Sequence, residues 1–252
     1  ERVRVPMADV GPTKIPNDIH VEDAVLLTDA YPTGYQAAEM GGIKEGDTVV
    51  VFGAGPVGIF AAKSAWLLGA GRVIVVDEVE FRLEFVRKWA PCEVVNFREV
   101  GDVAMQIKRM TDGYGADVCI DAVGCEAAGS AAQHFTGVVL KLQAGSATAI
   151  HWAINSVRKG GVVSIVGVYG PTFNAVPIGN AINKGLTLRM NQSSVKRHLP
   201  RLIEHIQAGR ISPREIITHR IPLEEVAEGY HIFANKLDNC IKTVLIPPSA
   251  MH

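Results

Sequence analysis

The sequence predicts an α/β protein built on a doubly wound, mostly parallel sheet. Three observations carry that expectation. Short apolar runs alternate with segments whose apolar residues fall at helical spacing, glycines cluster where the central run ends, and 48% hydrophobic against 20% charged residues fits a well-buried globular chain. Strand and helix patterns alternate five times through the centre, which implies right-handed crossovers and helices on both faces of one sheet.

The elements follow in order. Thr48–Phe52 is a short apolar run ending in glycines, and Ile59 to Leu68 continues it with apolar residues at helical spacing; this is a buried strand, a tight turn and a helix. Arg72–Asp77 is the next strand, and Val79, Leu83, Val86 and Ala90 mark one helix face up to the breaker Pro91. Cys92–Phe97 makes a third strand, Val103–Met110 a helix and Asp117–Val123 a fourth strand. A helix over Ala147–Arg158 leads into a strand over Gly161–Gly167, and a sixth strand is expected at Leu186–Met190. Between Gly124 and Val162 lie 37 residues, whereas a crossover needs about a dozen, so an insertion near 126–145 is expected on one face.

Both flanks depart from this pattern. Glu1–Pro6 reads as a strand, followed by Pro12, Pro16 and a turn at Asn17-Asp18. Beyond Asn191 come a helix led by Pro200 and stopped by Gly209, a strand near Ile216–Ile221, a helix from Leu223 to about Asn235 and an extended Cys240–Ile246. The division expected is residues 1–30 and 191–252 as parts of a second domain bracketing a core over 31–190.

Composition excludes several classes of function. With 25 Lys+Arg against 26 Asp+Glu, a net charge of −1 leaves no electrostatic footprint for nucleic acid or an anionic membrane. The long uncharged stretch Gly161–Asn183 contains four Gly, two Pro and three Asn, which argues against a membrane helix. Cys92, Cys119, Cys125 and Cys240 are dispersed, with no CxxC and no hydrophobic leader, so a cytoplasmic protein with reduced thiols is expected.

The chemistry-bearing motif is Gly53-Ala-Gly55-Pro56-Val57-Gly58, directly after a strand and before a helix. Gly53 permits the tight turn, Gly55 lets backbone approach a pyrophosphate, and Gly58 lets the helix sit close, while the helix N-terminus offers unpaired N–H groups to phosphate. Nineteen residues after Gly58, Asp77 ends the second strand. Its carboxylate suits the ribose hydroxyls of NAD and repels a 2′-phosphate, so NAD is favoured over NADP. The bland alternative is a tight strand–helix connection with Asp77 as an ordinary helix cap. This context defines a Rossmann dinucleotide fold without defining a reaction.

Upstream, Leu26-Leu27-Thr28-Asp29-Ala30-Tyr31-Pro32-Thr33-Gly34-Tyr35 resembles the zinc-containing medium-chain alcohol dehydrogenases. So do Asp121-Ala-Val-Gly124, Gly161–Gly170, Ile217–Glu225 and Asn239–Leu245. In that family a metal ligand, usually Cys, lies just before a Thr-Gly-Tyr helix start. Asp29 at that place resembles the branch of glutathione-independent formaldehyde dehydrogenases. The resemblance implies a GroES-like second domain, Asp29 as a catalytic zinc ligand, Thr33 and Val57 as the wall behind the nicotinamide, and Arg82 as partner of the adenosine ribose. It further implies Val123 beside the adenine-side ribose, Val166 and Val168 at the carboxamide, Lys242 near the pyrophosphate, and a homodimer or homotetramer joined through the edge strand near 186–190. Glycine-turn residues apart, plain core packing is the rival reading for the valines.

By the same resemblance the first zinc ligands, a Cys and a His-Glu pair, and a cluster of four structural cysteines belong before Asp29. None of these motifs is found there, so the chain reads as lacking the front of its catalytic domain. His198 and His205 lie two helical turns apart, and His20, His134, His151, His219 and His231 are scattered. Asp29 is therefore a single candidate ligand where zinc wants three or four. The expected function is that of an NAD-dependent oxidoreductase of the zinc alcohol or aldehyde dehydrogenase type, with hydride transfer between a zinc-bound alcohol and NAD in the full-length parent and this chain binding NAD. The alternatives are a non-catalytic NAD-binding or assembly module and a polyol or threonine dehydrogenase of the same superfamily; zinc-free quinone reductases fit less well, since they give Asp29 no role.

Overall fold

The computed structural model describes residues 3–123, 147–169 and 176–248. The expected insertion near 126–145, with Cys125 and His134, lies outside them, as do Glu1 and Arg2. The chain divides into two compact units, Thr33–Ser193 and Glu1–Pro32 with Ser194–His252.

The central unit is a six-stranded parallel sheet. Its strands are β1 (Thr48–Phe52), β2 (Arg72–Asp77), β3 (Glu93–Asn96), β4 (Ala116–Asp121), β5 (Val157–Ile165) and β6 (Thr187–Met190), in the order β3-β2-β1-β4-β5-β6. This is the Rossmann order, and the reversal between β1 and β4 opens a crevice at the strands' C-terminal ends. β1 and β2 are buried on both faces, which explains why they read as unbroken Val/Ile runs rather than as alternation.

Between the strands run α2 (Ala30–Gly41, which begins in the flanking unit), α3 (Pro56–Leu67), α4 (Glu80–Trp89), α5 (Val103–Met110), α6 (Thr148–Ser156) and α7 (Ile178–Lys184). Helix α4 stops before Ala90-Pro91, as the following proline requires. Asp102 Oδ1 caps α5 by accepting from Met105 N at 2.9 Å, and Lys108 and Arg109 complement the dipole at its other end. One face of the sheet is closed by α5 and α6, where Val50, Phe52, Ile74, Ile107, Ile150 and Ile154 bury almost completely; each such side chain contributes about 1.5–3 kcal/mol of transfer free energy. On α3, Gly58 to Ala62 and Ala65 are buried, so this helix is apolar nearly all round.

Two elements differ from expectation here. β5 begins at Val157, four residues before the predicted start, and the predicted helix ends two residues early at Ser156. The register shifts between Ala116 and Val118, Gly160 adopts φ +68°, and Arg158 Nε pairs with Asp117 Oδ1 at 2.6 Å. Charged residues and glycines at an irregular, exposed strand start thus imitate a turn. Helix α7, closed by Gly185 in the left-handed region, was not expected because it is only seven residues long.

The flanking unit carries α1 (Val21–Leu26), α8 (Val195–Gln207), a parallel pair of strands β7 (His219–Pro222) and β8 (Thr243–Ile246), and α9 (Val226–Ala234). Its two chain segments are tied by paired Arg220–Glu22 bonds of 2.6 and 2.8 Å and by buried Asp23, which accepts from Arg214 N at 2.8 Å. The predicted strand over Glu1–Pro6 is corrected: Val3–Val5 pair with no described strand and run exposed into a turn at Met7. Pro200 does not lead its helix either. It lies in the second turn of α8, where its missing N–H removes one interior bond while buried Leu199 and Leu202 hold the helix in place.

Candidate dinucleotide site

The glycine turn lies at the sheet's switch point, and each glycine meets a different constraint. Gly53 adopts φ +98°, and a Cβ there would stand 3.1 Å from Ala122 O and 3.2 Å from Val123 Cγ2 at the end of β4. A Cβ on Gly58 would lie 1.8 Å from Gly53 O, so only hydrogen fits between helix and turn. Gly55 is the opposite case. It caps α3 in an extended conformation, and the nearest atom to a Cβ there is an Arg82 guanidinium nitrogen at 3.9 Å, leaving the turn open on the side a phosphate would approach. Pro56 opens α3 where its missing N–H costs nothing, and half-buried Val57 follows it.

Asp77 ends β2 and is almost fully buried. Its Oδ2 accepts from Ala54 N at 2.5 Å, and its Oδ1 accepts from Glu78 N at 2.7 Å and Val79 N at 2.9 Å. The α4 cap is Val79, without a side-chain bond, so Asp77 is not the ordinary helix cap of the bland alternative. It braces the glycine turn instead. A carboxylate offers about four acceptor positions, and the three donors leave Oδ2 with capacity for one more. Arg82, on the buried face of α4, has a solvent-inaccessible Nε without a hydrogen-bond partner, an arrangement that normally calls for a missing acceptor.

Thr33 lies in the first turn of α2, and the next residue explains the local sequence. A Cβ on Gly34 would fall 2.6 Å from Phe60 Cβ and 2.7 Å from Val57 O, so α2 crosses α3 in contact at this glycine. Ser164 Oγ donates to Ala37 O at 2.7 Å and fixes the same helix to β5. Val123 follows β4 and is half-buried; Val166 is half-buried and Val168 exposed in the loop after β5. Asp29 is exposed in the turn before α2. Lys242 lines an apolar groove of the flanking unit with Val226, Tyr230, Phe233 and Leu245. Among the described residues no group of three or more His, Cys, Asp or Glu side chains could hold a metal ion.

Sequence reasoning missed Asp121 as a site residue. It ends β4 with no exposed surface, and burial raises its carboxyl to about 6 against the downward pull of bonds from Tyr169 Oη and Val123 N. Its backbone oxygen accepts from Val166 N and Gly167 N, both at 3.0 Å. An acid inside the otherwise apolar run Val118–Val123 of a predicted strand was the available signal.

A six-stranded sheet in this order, with a glycine turn and a strand-end acid at its switch point, defines a Rossmann-like α/β protein. Residues 56–137 match the family described as zinc-binding dehydrogenase. The chain is 41% identical over 98% of its length to AdhB of Bacillus subtilis, named an uncharacterized zinc-type alcohol dehydrogenase-like protein, and covers 65% of it. It is 33% identical over 96% of its length to a zinc-type alcohol dehydrogenase-like protein of Schizosaccharomyces pombe, of which it covers 57%. The structure of alcohol dehydrogenase TADH from Thermus sp. ATN1 superposes with a TM-score of 0.77 at 30% identity, covering 93% of this chain and 62% of that one. The chain is thus similar, along nearly its whole length, to proteins named zinc-type alcohol dehydrogenase-like. It spans roughly half to two-thirds of the length of these relatives.

Proposed function

We propose that this chain binds NAD and serves an NAD-dependent oxidoreductase of the alcohol or aldehyde dehydrogenase type. The observation that carries the reading is the contrast within the glycine turn: Gly58 has no space for a side chain, whereas Gly55 has open space and keeps it clear. Such a turn suits a pyrophosphate resting on backbone N–H groups at the start of α3. The remaining acceptor position of Asp77 and the unpartnered Nε of Arg82 suit the adenosine ribose. Val123, Val166 and Val168, with Thr33 and Val57, would line the rest of the cofactor. When bound, NAD supplies the hydride acceptor; the residues of this chain orient it, and the apolar walls exclude water from its reactive face.

Zinc stands differently. The described residues do not make a zinc site, since Asp29 is one ligand and three are needed, and no step is derived through the metal. The substrate class proposed is a small alcohol or aldehyde, supported by the names of the relatives; Asp29 at the place of the usual Cys supports the formaldehyde-dehydrogenase-like branch. Self-association through β6 is proposed as well, since Thr187 and Met190 are exposed on an edge strand whose outer side pairs with no described strand. Titration with NADH, followed by fluorescence enhancement, tests the central claim: saturable binding is expected, and no binding at high micromolar NADH would refute it.

A further inference from the structure

The C-terminal ends of β4 and β5 are joined through Asp121 in a way that simple strand packing does not need. Its side chain is wholly buried, with Oδ2 accepting from Tyr169 Oη and Oδ1 from Val123 N at 3.1 Å. Gly167 lies against it so closely that a Cβ would be 3.0 Å from Oδ1 and 2.3 Å from Val123 O. The next residue on β4's exit, Ala122, donates to Phe52 O at 3.0 Å, and its own oxygen backs Gly53. Asp121 therefore connects the glycine turn on one side with the loop Val166–Tyr169 on the other. Tyr169 extends the connection to α6 by packing against the buried cluster that includes Ile150. An apolar side chain at 121 would fill a strand end equally well. A carboxylate there is costly unless its hydrogen bonds serve an arrangement.

Resting on the NAD-binding reading, we propose that Asp121 and Tyr169 are a positioning pair for the dinucleotide, holding the β5 loop against the glycine turn and making affinity depend on the protonation of Asp121. The sign follows from linkage. A bound pyrophosphate carries negative charge at the same crevice, so binding favours protonated Asp121 and affinity falls as the pH rises through the carboxyl's midpoint. Burial has already brought that midpoint to about 6. The titratable groups on the packed elements are few: β1 carries none, α6 carries His151, β4 carries Asp117 and Cys119, and β5 carries Arg158 and Lys159 at its far end. Every further unit by which the bound dinucleotide raises the carboxyl weakens binding tenfold on the alkaline side.

The test is NADH titration from pH 5.5 to 8 on the wild-type chain and on Asp121→Asn, Tyr169→Phe and His151→Gln. The wild type is expected to bind about tenfold more weakly at pH 8 than on its acid limb. D121N should lose the dependence and H151Q should retain it. Y169F removes a bond that favours the carboxylate, so its midpoint should move to higher pH; a merely structural tyrosine would lower the melting temperature without moving the midpoint. Melting temperature against pH supplies a second reading if D121N folds poorly, because Y169F should then show its shifted midpoint in stability as well. Binding that is independent of pH, or a profile unchanged in D121N or Y169F, overturns this inference alone. Absence of NADH binding at every pH overturns the NAD reading and this inference with it.

Discussion

Gly55 and Gly58 lie three residues apart in one turn, yet alanine at the two places should fail in opposite ways. At Gly58 the added methyl would stand 1.8 Å from Gly53 O, so turn and helix must separate by more than 1 Å to reach the 3.0 Å below which such contacts do not occur. Neither side yields easily: Gly53 is held at φ +98° between β2 and β4, and α3 is buried from Gly58 to Ala62. Overpacking of this kind costs about 1–3 kcal/mol, and the roughly 1 kcal/mol that alanine gains over glycine inside a helix only partly offsets the upper end. Net destabilisation of about 2 kcal/mol lowers the melting temperature of a domain this size by roughly 4–8 °C. At Gly55 the nearest atom is 3.9 Å away and φ is −71°, so Gly55→Ala should stay within about 1 kcal/mol of the wild type. Its methyl would occupy the space kept for pyrophosphate, and a clash of 1–3 kcal/mol carried only by the complex weakens NADH by roughly 5- to 150-fold. Differential scanning calorimetry and NADH fluorescence on both variants give the comparison. G55A that binds NADH like the wild type, or G58A that melts like the wild type, would refute the division of roles.

Replacing Asp77 by Ser should narrow the preference for NAD over NADP and lower stability by about 2 kcal/mol, since a buried carboxylate bonded to three N–H groups is lost; the ratio of the two dissociation constants reads the first effect. Arg82→Leu should leave the fold within about 1 kcal/mol, its Nε having no partner to lose, while NADH binding weakens about tenfold. For Asp121, a folded pKa of about 6 above the ordinary 3.8 means that its stabilising contribution is complete below 3.8 and is lost as pH rises through 6, a change of about 3 kcal/mol. The stability difference between wild type and Asp121→Asn, measured by denaturant unfolding at pH 4 and pH 7.5, should therefore shift against the wild type at the higher pH. Met190→Lys places a charge on the exposed edge of β6 and should drive any oligomer toward monomer in sedimentation velocity, with the melting temperature of the unit little altered.

Much of the central unit was legible because its signals are local. Val49–Phe52 and Val73–Val76 are apolar without interruption since both faces of these strands are covered, and Gly53, Gly55 and Gly58 announce a turn by their spacing. The irregular start of β5 was not legible, because Arg158-Lys159-Gly160-Gly161 becomes a strand only through its partner Asp117 and the neighbouring β4. Val3–Val5 have a strand's composition without a partner to pair with among the described residues. The site divides in the same way. Asp77 was visible at its distance from the glycines, whereas its bond to Ala54 N and the Asp121–Tyr169 pair join residues 23 and 48 positions apart and depend on how strand ends meet. Gly34 is a related case: its necessity lies in α3, at Val57 and Phe60.

The bond from Ala54 N to Asp77 has a consequence for descent as well as for design. Ala54 has no exposed surface, so a shorter residue at 77 strands a buried N–H that water cannot reach, at a cost of about 1–3 kcal/mol. A lineage drifting toward a phosphorylated cofactor would have to keep an acceptor for that N–H while it surrenders the carboxylate. The order of substitutions is then constrained: a stabilising change elsewhere in the turn comes first, and the exchange of cofactor second. Libraries that vary residue 77 alone should accordingly return poorly folded members more often than members with a new preference.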